Sequence, residues 1–229
     1  MTLIELKDIQ KTFGQKEATT HALKDISLKI NKGDLIAIMG TSGSGKSTLL
    51  NLIGCLDVPT SGNYLLNNKT IDSNSKKQLA QLRNGCFGFV LQDFVLVPHY
   101  TVKQNILLPL IYQKNKLLKK QYKDKLDELL KKLGLFDKKN TPVGLLSGGQ
   151  KQRVAIGRAL INNPEIILAD EPTGSLDQKT SYEIMELLIE LHQEGKTVII
   201  ITHDPKIAEY CHKIINLEDG LLHIVEHHC

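Results

Sequence analysis

Gly40-Thr41-Ser42-Gly43-Ser44-Gly45-Lys46-Ser47 fits the pattern G-x-x-x-x-G-K-[ST] and follows directly on the apolar run Leu35-Ile36-Ala37-Ile38-Met39. Few local sequences restrict a fold more. A short, wholly apolar strand is one covered on both faces, as in a parallel sheet. A glycine-rich turn from such a strand into a helix, here through Thr48-Leu49-Leu50-Asn51, lets successive backbone N–H groups converge on phosphate oxygens, and the helix dipole adds to the attraction. In that arrangement Lys46 neutralises the β and γ phosphates of a nucleotide, and the Ser47 hydroxyl faces Mg²⁺.

Two further apolar runs, Ile166-Ile167-Leu168-Ala169 and Val198-Ile199-Ile200-Ile201, repeat the buried-strand signal with helical segments between them. That rhythm is an α/β fold with helices on the faces of a parallel sheet. Nearer the start, Leu3–Ile9 and Leu23–Ile30 alternate apolar and polar residues with period two, the pattern of half-buried strands in an antiparallel subdomain. From Thr101 to Leu133 the pattern is helical. Leu117, Leu126, Leu129, Leu130 and Leu133 fall near one stripe, and lysines fill most of the rest. The expected organisation is one domain over 1–229: a catalytic α/β core with its β subdomain over 1–92 and 161–229, and an inserted helical subdomain over 93–160.

The net charge of +4 conceals a division along the chain. Residues 114–160 carry 13 basic and 4 acidic groups, whereas residues 161–229 carry 4 basic and 13 acidic groups. Positive charge confined to one segment argues against a general nucleic-acid binder. No apolar run approaches the roughly 20 residues needed to span a bilayer, and no charged-then-apolar leader opens the chain. Cys55, Cys86, Cys211 and Cys229 are widely spaced, without the rhythm of a disulfide scaffold. The expectation is a cytoplasmic protein with reduced thiols. The lysine-rich stretch Lys114–Lys139 reads either as a solvated face or as a contact with anionic headgroups. The His223–Cys229 tail has metal-ligand chemistry without a second ligand group.

A phosphate loop needs a carboxylate beside its metal, and Ile166–Ala169 runs into Asp170-Glu171. Asp170 is the metal-side acid, directly or through water, and Glu171 is placed to polarise the attacking water. Leu146-Ser147-Gly148-Gly149-Gln150 supplies Ser and Gln at the spacing of a capping box for the helix that follows. It is also an exposed anion site.

At these residues the chain resembles the ATP-binding-cassette (ABC) ATPases, whose signature is LSGGQ. The resemblance covers the whole chain and implies a P-loop NTPase core that binds and hydrolyses ATP with Mg²⁺. It places Phe13 against adenine, Gln92 on the loop joining the two lobes and near the metal, Asp177 in the D-loop Ser175-Leu176-Asp177, and His203 at the γ-phosphate. The family arrangement turns Ser147, Gly148, Gly149 and Gln150 away from their own phosphate loop. Two copies then close head to tail around ATP, a homodimer being the simplest case. The apolar connection Phe94-Val95-Leu96-Val97, with Tyr100, either packs into the helical lobe or borders the groove for a permease helix.

Gly54–Gly62, Leu96–Val102 and Ala169–Asp177 are similar to the MacB-type macrolide-export and lipoprotein-release branch, with relatives that handle bacteriocins and antimicrobial peptides. Phe13 in place of tyrosine, Leu91 of phenylalanine, Ser175 of asparagine and Gly157 of alanine depart from the usual pattern; the first loses a phenol hydroxyl at the base. The resemblance implies an exporter ATPase working with a separate integral-membrane permease at the inner face of the cell membrane. The alternative is a non-transport ABC ATPase that relays ATP closure to a cell-envelope enzyme.

Overall fold

The computed structural model describes residues 1–14, 19–112 and 118–226. Its centre is a six-stranded sheet in the order β10-β9-β3-β8-β7-β6, built from β3 (Leu35–Met39), β6 (Phe87–Val90), β7 (Ile166–Asp170), β8 (Thr197–Ile201), β9 (Lys213–Glu218) and β10 (Leu221–Glu226). Five strands run parallel, and β10 returns antiparallel on β9 as the edge. The three apolar runs of the sequence are β3, β7 and β8. A second, antiparallel sheet has the order β2-β1-β4-β5, from β1 (Thr2–Phe13), β2 (Thr20–Asn31), β4 (Ser61–Leu66) and β5 (Lys69–Thr70).

Burial alternates along the central strands, because successive side chains leave a strand on opposite faces. Leu35, Ala37, Ile167, Ala169, Val198 and Ile200 enter one cluster with the helices α3 (Val102–Leu107), α4 (Leu118–Lys132), α5 (Gly148–Leu160), α6 (Gln178–Gln193) and α7 (Pro205–Ala208). Ile36, Ile38, Ile166, Leu168, Ile199 and Ile201 enter a second cluster, with α1 (Lys46–Ile53) and the inner face of the antiparallel sheet. The short helix α2 (Lys76–Cys86) adds Leu79 to that side. No helix among the described residues is long and apolar enough to cross a membrane.

The helical pattern expected over Thr101–Leu133 is not one helix. α3 gives way to a 3-10 segment, Leu108–Tyr112, which contains Pro109. Proline has no N–H to donate to the Asn105 carbonyl, and its ring crowds that carbonyl, so the α-helix ends there. α4 resumes at Leu118; Leu117 lies outside the described residues, while Leu126, Leu130 and Leu133 are buried as the stripe requires. The side chains of Lys119, Lys120 and Lys123 are likewise outside the described set. Lys132 instead bridges Glu194 (2.5 Å) and Glu190 (3.6 Å), tying α4 to α6. Cys55, Cys86 and Cys211 are free thiols, and burial pushes Cys55 up to about 11 and Cys211 up to about 12, which leaves both unreactive. Cys229, with His227 and His228, lies outside the described residues.

One buried polar side chain organises the connection between β6 and α3. Asn105 is fully buried. Its Oδ1 accepts from Val97 N (2.8 Å), and its amide donates toward the carbonyls of Val97 (3.2 Å), Tyr100 (3.3 Å) and Thr101 (3.2 Å). The apolar residues of this connection divide: Leu96 packs against the core, whereas Val95 is 57% exposed. Truncating Asn105 leaves the Val97 N–H without its acceptor and removes a second donor from the carbonyls of Val97, Tyr100 and Thr101, each of which keeps one backbone N–H. Asn105→Ala is expected to lower stability by about 1–3 kcal/mol, read as a lower urea midpoint at an unchanged slope. Asn105→Asp, which faces those carbonyls with a charge, is expected to be worse.

Candidate active site

The carboxyl ends of the parallel strands converge on one cleft of about 710 Å³. β3 delivers the phosphate loop, β6 leads to Gln92, β7 ends in Asp170-Glu171, β8 leads to His203, and β9 turns through Asp219-Gly220; side chains from all five line the cleft. This is the edge at which open α/β sheets bind ligands.

The phosphate loop owes its shape to close backbone approach. At Gly40 the backbone has φ +153°, and a Cβ would lie 2.1 Å from the Leu217 carbonyl oxygen. At Gly45, φ is +103° and a Cβ would lie 2.4 Å from the Ala22 oxygen. Neither position admits a side chain. Ser42, Gly43, Gly45, Lys46, Ser47 and Thr48 line the cleft, while Gly40, Thr41 and Ser44 form the back of the loop. Lys46 Nζ donates to the carbonyls of Gly40 (2.8 Å) and Thr41 (2.7 Å), lying across the loop it would clamp. Ser44 Oγ is buried with no hydrogen-bond partner among the described residues.

Across the cleft, the Ser47 hydroxyl lies beside the Asp170 carboxylate and favours its charged form. Burial pushes Asp170 above the ordinary aspartate value, opposed by the Ser47 hydrogen bond and the Lys46 charge, while Glu171 adds to the rise. Two neighbouring carboxylates in a half-buried site disfavour each other's charged form. Glu171 sits at φ +45°, a left-handed conformation that costs a non-glycine residue about 1–2 kcal/mol. Its backbone is pinned by Glu171 N to Ile201 O (3.0 Å) and Gly174 N to Glu171 O (3.1 Å). From α5, Gln152 Nε2 donates to Pro172 O (2.6 Å). The strained turn aims the Glu171 side chain into the cleft, where His203 Nδ1 donates to Oε1 at 2.7 Å. Phe13, at the end of the β1–β2 ribbon, is 45% exposed on the cleft wall, with Lys11 Nζ 5.0 Å from its ring centre.

Ser147, Gly148, Gly149, Gln150 and Asp177 are not in this cleft. Ser147 caps α5: its hydroxyl accepts from Gln150 N, and the Gln150 side chain returns to Ser147 N (3.2 Å). The capping-box reading of these residues is met. A Cβ at Gly149 would lie 2.4 Å from Thr180 Cγ2, and one at Gly148 would lie 3.2 Å from Leu176 Cδ2, so the motif rests on the turn that begins α6. Asp177 caps that helix, accepting from Thr180 N (3.0 Å). Arg153 pairs with Glu183 (2.9 Å) and Arg158 turns to the Phe94 carbonyl (2.8 Å), so neither guanidinium is an open anion ligand. Sequence reasoning also missed Thr20, His21, Ala22 and Lys24 on the cleft wall. No motif marks them; β2 reaches the phosphate loop because Lys24 N bonds Gly220 O (2.8 Å).

A glycine-bound phosphate loop, a lysine across it and a hydroxyl–carboxylate pair at the ends of parallel strands define a P-loop nucleotide site. Residues 23–174 match the family described as ABC transporter. The chain is 49% identical to the uncharacterized ABC transporter ATP-binding protein YvrO of Bacillus subtilis, over 96% of this chain and 95% of that protein. It is 48% identical to the macrolide export ATP-binding/permease protein MacB of Mannheimia succiniciproducens, over 96% of this chain but 34% of MacB; the chain thus spans about a third of that relative. Its fold superposes with a TM-score of 0.85 and 41% identity on the ATP-binding cassette MJ0796, solved as a dimer in a post-hydrolysis state with ADP and Pi, covering 99% of this chain and 100% of that one. The chain belongs to the ABC transporter family and is one of its ATP-binding cassettes, an ATPase.

Lys46 is partly exposed and bonded only to loop carbonyls, so its loss affects the ligand more than the fold. Lys46→Ala is expected to weaken ATP binding about 10- to 100-fold, the worth of one charged hydrogen bond. Calorimetric titration measures the loss, and the melting temperature without nucleotide is expected to stay within about 2 °C.

Proposed function

We propose that this cassette is the ATP-hydrolysing subunit of an exporter, and that it works as a head-to-tail homodimer on a membrane permease carried by a separate chain. The observation that carries the reading is the split of its two phosphate-type elements. The phosphate loop opens into the cleft, whereas the exposed α5 N-terminus at Ser147–Gln150 has no nucleotide site of its own chain to complete. An N-terminus offering free backbone N–H groups suits an anion, and a second copy turned by a two-fold axis would supply the nucleotide. The dimeric MJ0796 cassette supports this reading.

Within one composite site, Lys46 and the amides of Gly43, Gly45, Ser47 and Thr48 hold the phosphates, and Phe13 lies against the base. Oxygen donors from Ser47, Asp170 and Gln92 form the set that a hard cation takes, so these residues would hold Mg²⁺. Bound there, Mg²⁺ supplies charge neutralisation to the β- and γ-phosphate oxygens. Glu171 accepts a hydrogen bond from the attacking water and draws off its proton as the oxygen attacks the γ-phosphorus, while the bond from that phosphorus to the β–γ bridging oxygen breaks and ADP leaves with the bond's electrons. His203, bonded to Glu171 through Nδ1, fixes the carboxylate and offers its other ring nitrogen toward the γ-phosphate. Ser147, Gly148, Gly149 and Gln150 of the second copy cover the phosphates and exclude water, with Asp177 at the seam.

The 48% identity with MacB, a macrolide export protein, supports export as the direction of work; peptides or amphipathic antimicrobials are the cargo that the resemblance to this branch implies. The location follows from the permease: the cytoplasmic face of the cell membrane. A groove of about 290 Å³ between the two lobes, with Leu56, Phe89, Leu91 and Val95 in its wall, is the surface we assign to a permease helix. Leu96, packed into the core, is not part of it.

Two measurements test the reading. Glu171→Gln is expected to bind Mg-ATP as the native protein does, lose at least about 100-fold in turnover and run as a dimer on size exclusion with ATP. A variant that stays monomeric at saturating Mg-ATP overturns the composite site. Leu56→Glu is expected to leave the isolated ATPase intact while abolishing permease-dependent stimulation in vesicles; equal loss of both places Leu56 in the fold instead.

A further inference from the structure

Gln92 sits in a turn whose backbone is held open against its own preference. Phe94 N donates to Leu91 O (3.0 Å), closing the turn around Gln92, and Val95 N donates to Asp93 O (2.5 Å). The next two residues are both left-handed, Phe94 at φ +58° and Val95 at φ +45°. Neither is glycine, and valine is β-branched, the type least suited to this region. Each is disfavoured relative to an ordinary backbone conformation. A loop that is partly exposed would relax out of such a shape unless something outside it held the two peptides.

Arg158 is that restraint. It stands in the last turn of α5, and its guanidinium forks onto the two strained residues: Nη2 donates to Phe94 O (2.8 Å) and Nη1 to Val95 O. Among the described residues no carboxylate pairs with it, so these carbonyls supply the solvation its half-buried charge needs. A planar fork meets two adjacent carbonyls at once; a lysine ammonium on a flexible stem does not.

We propose that Arg158 is the positioning residue for Gln92: it holds the 91–95 turn in its strained form and thereby keeps the Gln92 side chain in the nucleotide cleft. The helix that carries it begins at the Ser147–Gln150 motif, and 11 residues of α-helix span roughly 16 Å. A displacement of the motif end therefore reaches the Gln92 turn through one rigid element. The inference rests on the proposed role of Gln92 in the nucleotide site.

The test is a double-mutant cycle on the full chain, read as kcat and KM for Mg-ATP. Arg158→Gln is expected to lower kcat about 10-fold with KM changed less than about 3-fold, and to add almost nothing in a Gln92→Ala background. Phe94→Gly/Val95→Gly, introduced beside Arg158→Gln, is expected to recover part of kcat, because glycine enters the left-handed region without strain. Should Arg158→Gln fail to fold, Arg158→Lys, which keeps charge but meets one carbonyl, is read in the same cycle with a smaller loss. A full-sized Arg158 effect on top of Gln92→Ala, or no recovery by the glycine pair, overturns the proposal and leaves the role of Gln92 standing. An unchanged kcat in Gln92→Ala alone overturns both.

Discussion

A parallel sheet covered on both faces leaves its polar chemistry one place to go. The side chains of β3, β7 and β8 are consumed by two separate apolar clusters, and burying a strand of Ile, Leu and Val on both faces tolerates no charged group within it. The first residues free to be polar are those just past the strand ends. Asp170 as the last residue of β7, Glu171 after it, His203 after β8, Gln92 after β6 and the phosphate loop after β3 all stand at or just past those ends. The catalytic edge is thus a consequence of the core, and the cleft depends on strand register as much as on its own residues. Shifting β7 by one residue against β8 would turn Asp170 to the opposite face and break its contact with Ser47.

That dependence explains what could be seen in the sequence. Elements whose conformation is decided locally were legible. The two-sided strands declare themselves as unbroken Val/Ile/Leu runs, Gly40 and Gly45 mark backbone that no Cβ could share, and the Ser147/Gln150 spacing encodes a cap that forms as read. What was not legible is decided by neighbours distant in sequence. Thr20, His21 and Lys24 enter the cleft only because β2 bonds the turn at Gly220. Leu96 and Val95 are both apolar and adjacent, yet one is core and the other exposed, a choice made by Asn105 and α5. The break after Leu107 was present in the chain as Pro109; the leucine stripe on either side outweighed it because periodicity survives a change of helix type.

Charge misled where geometry ruled. Residues 114–160 carry 13 basic groups, but long cationic side chains can each be drawn to a better partner than solvent. Arg153 found Glu183, Arg158 found two backbone carbonyls, and Lys132 found two glutamates of α6. Net charge over a segment counts groups without asking which of them are already paired.

The same inward contacts give α5 a mechanical meaning. Gln152 holds the Pro172 carbonyl beside Glu171, and Arg158 holds the carbonyls beyond Gln92. One 13-residue helix therefore grips the turns that carry both Glu171 and Gln92, the residues we assign to the attacking water and the metal. Those turns are strained at Glu171, Phe94 and Val95, and strain at a functional turn persists only while its surroundings enforce it. A helix that enforces two such turns at once ties them to a common position. A change at its exposed N-terminus then cannot act on one turn alone, because packed helices shift as rigid bodies rather than bend.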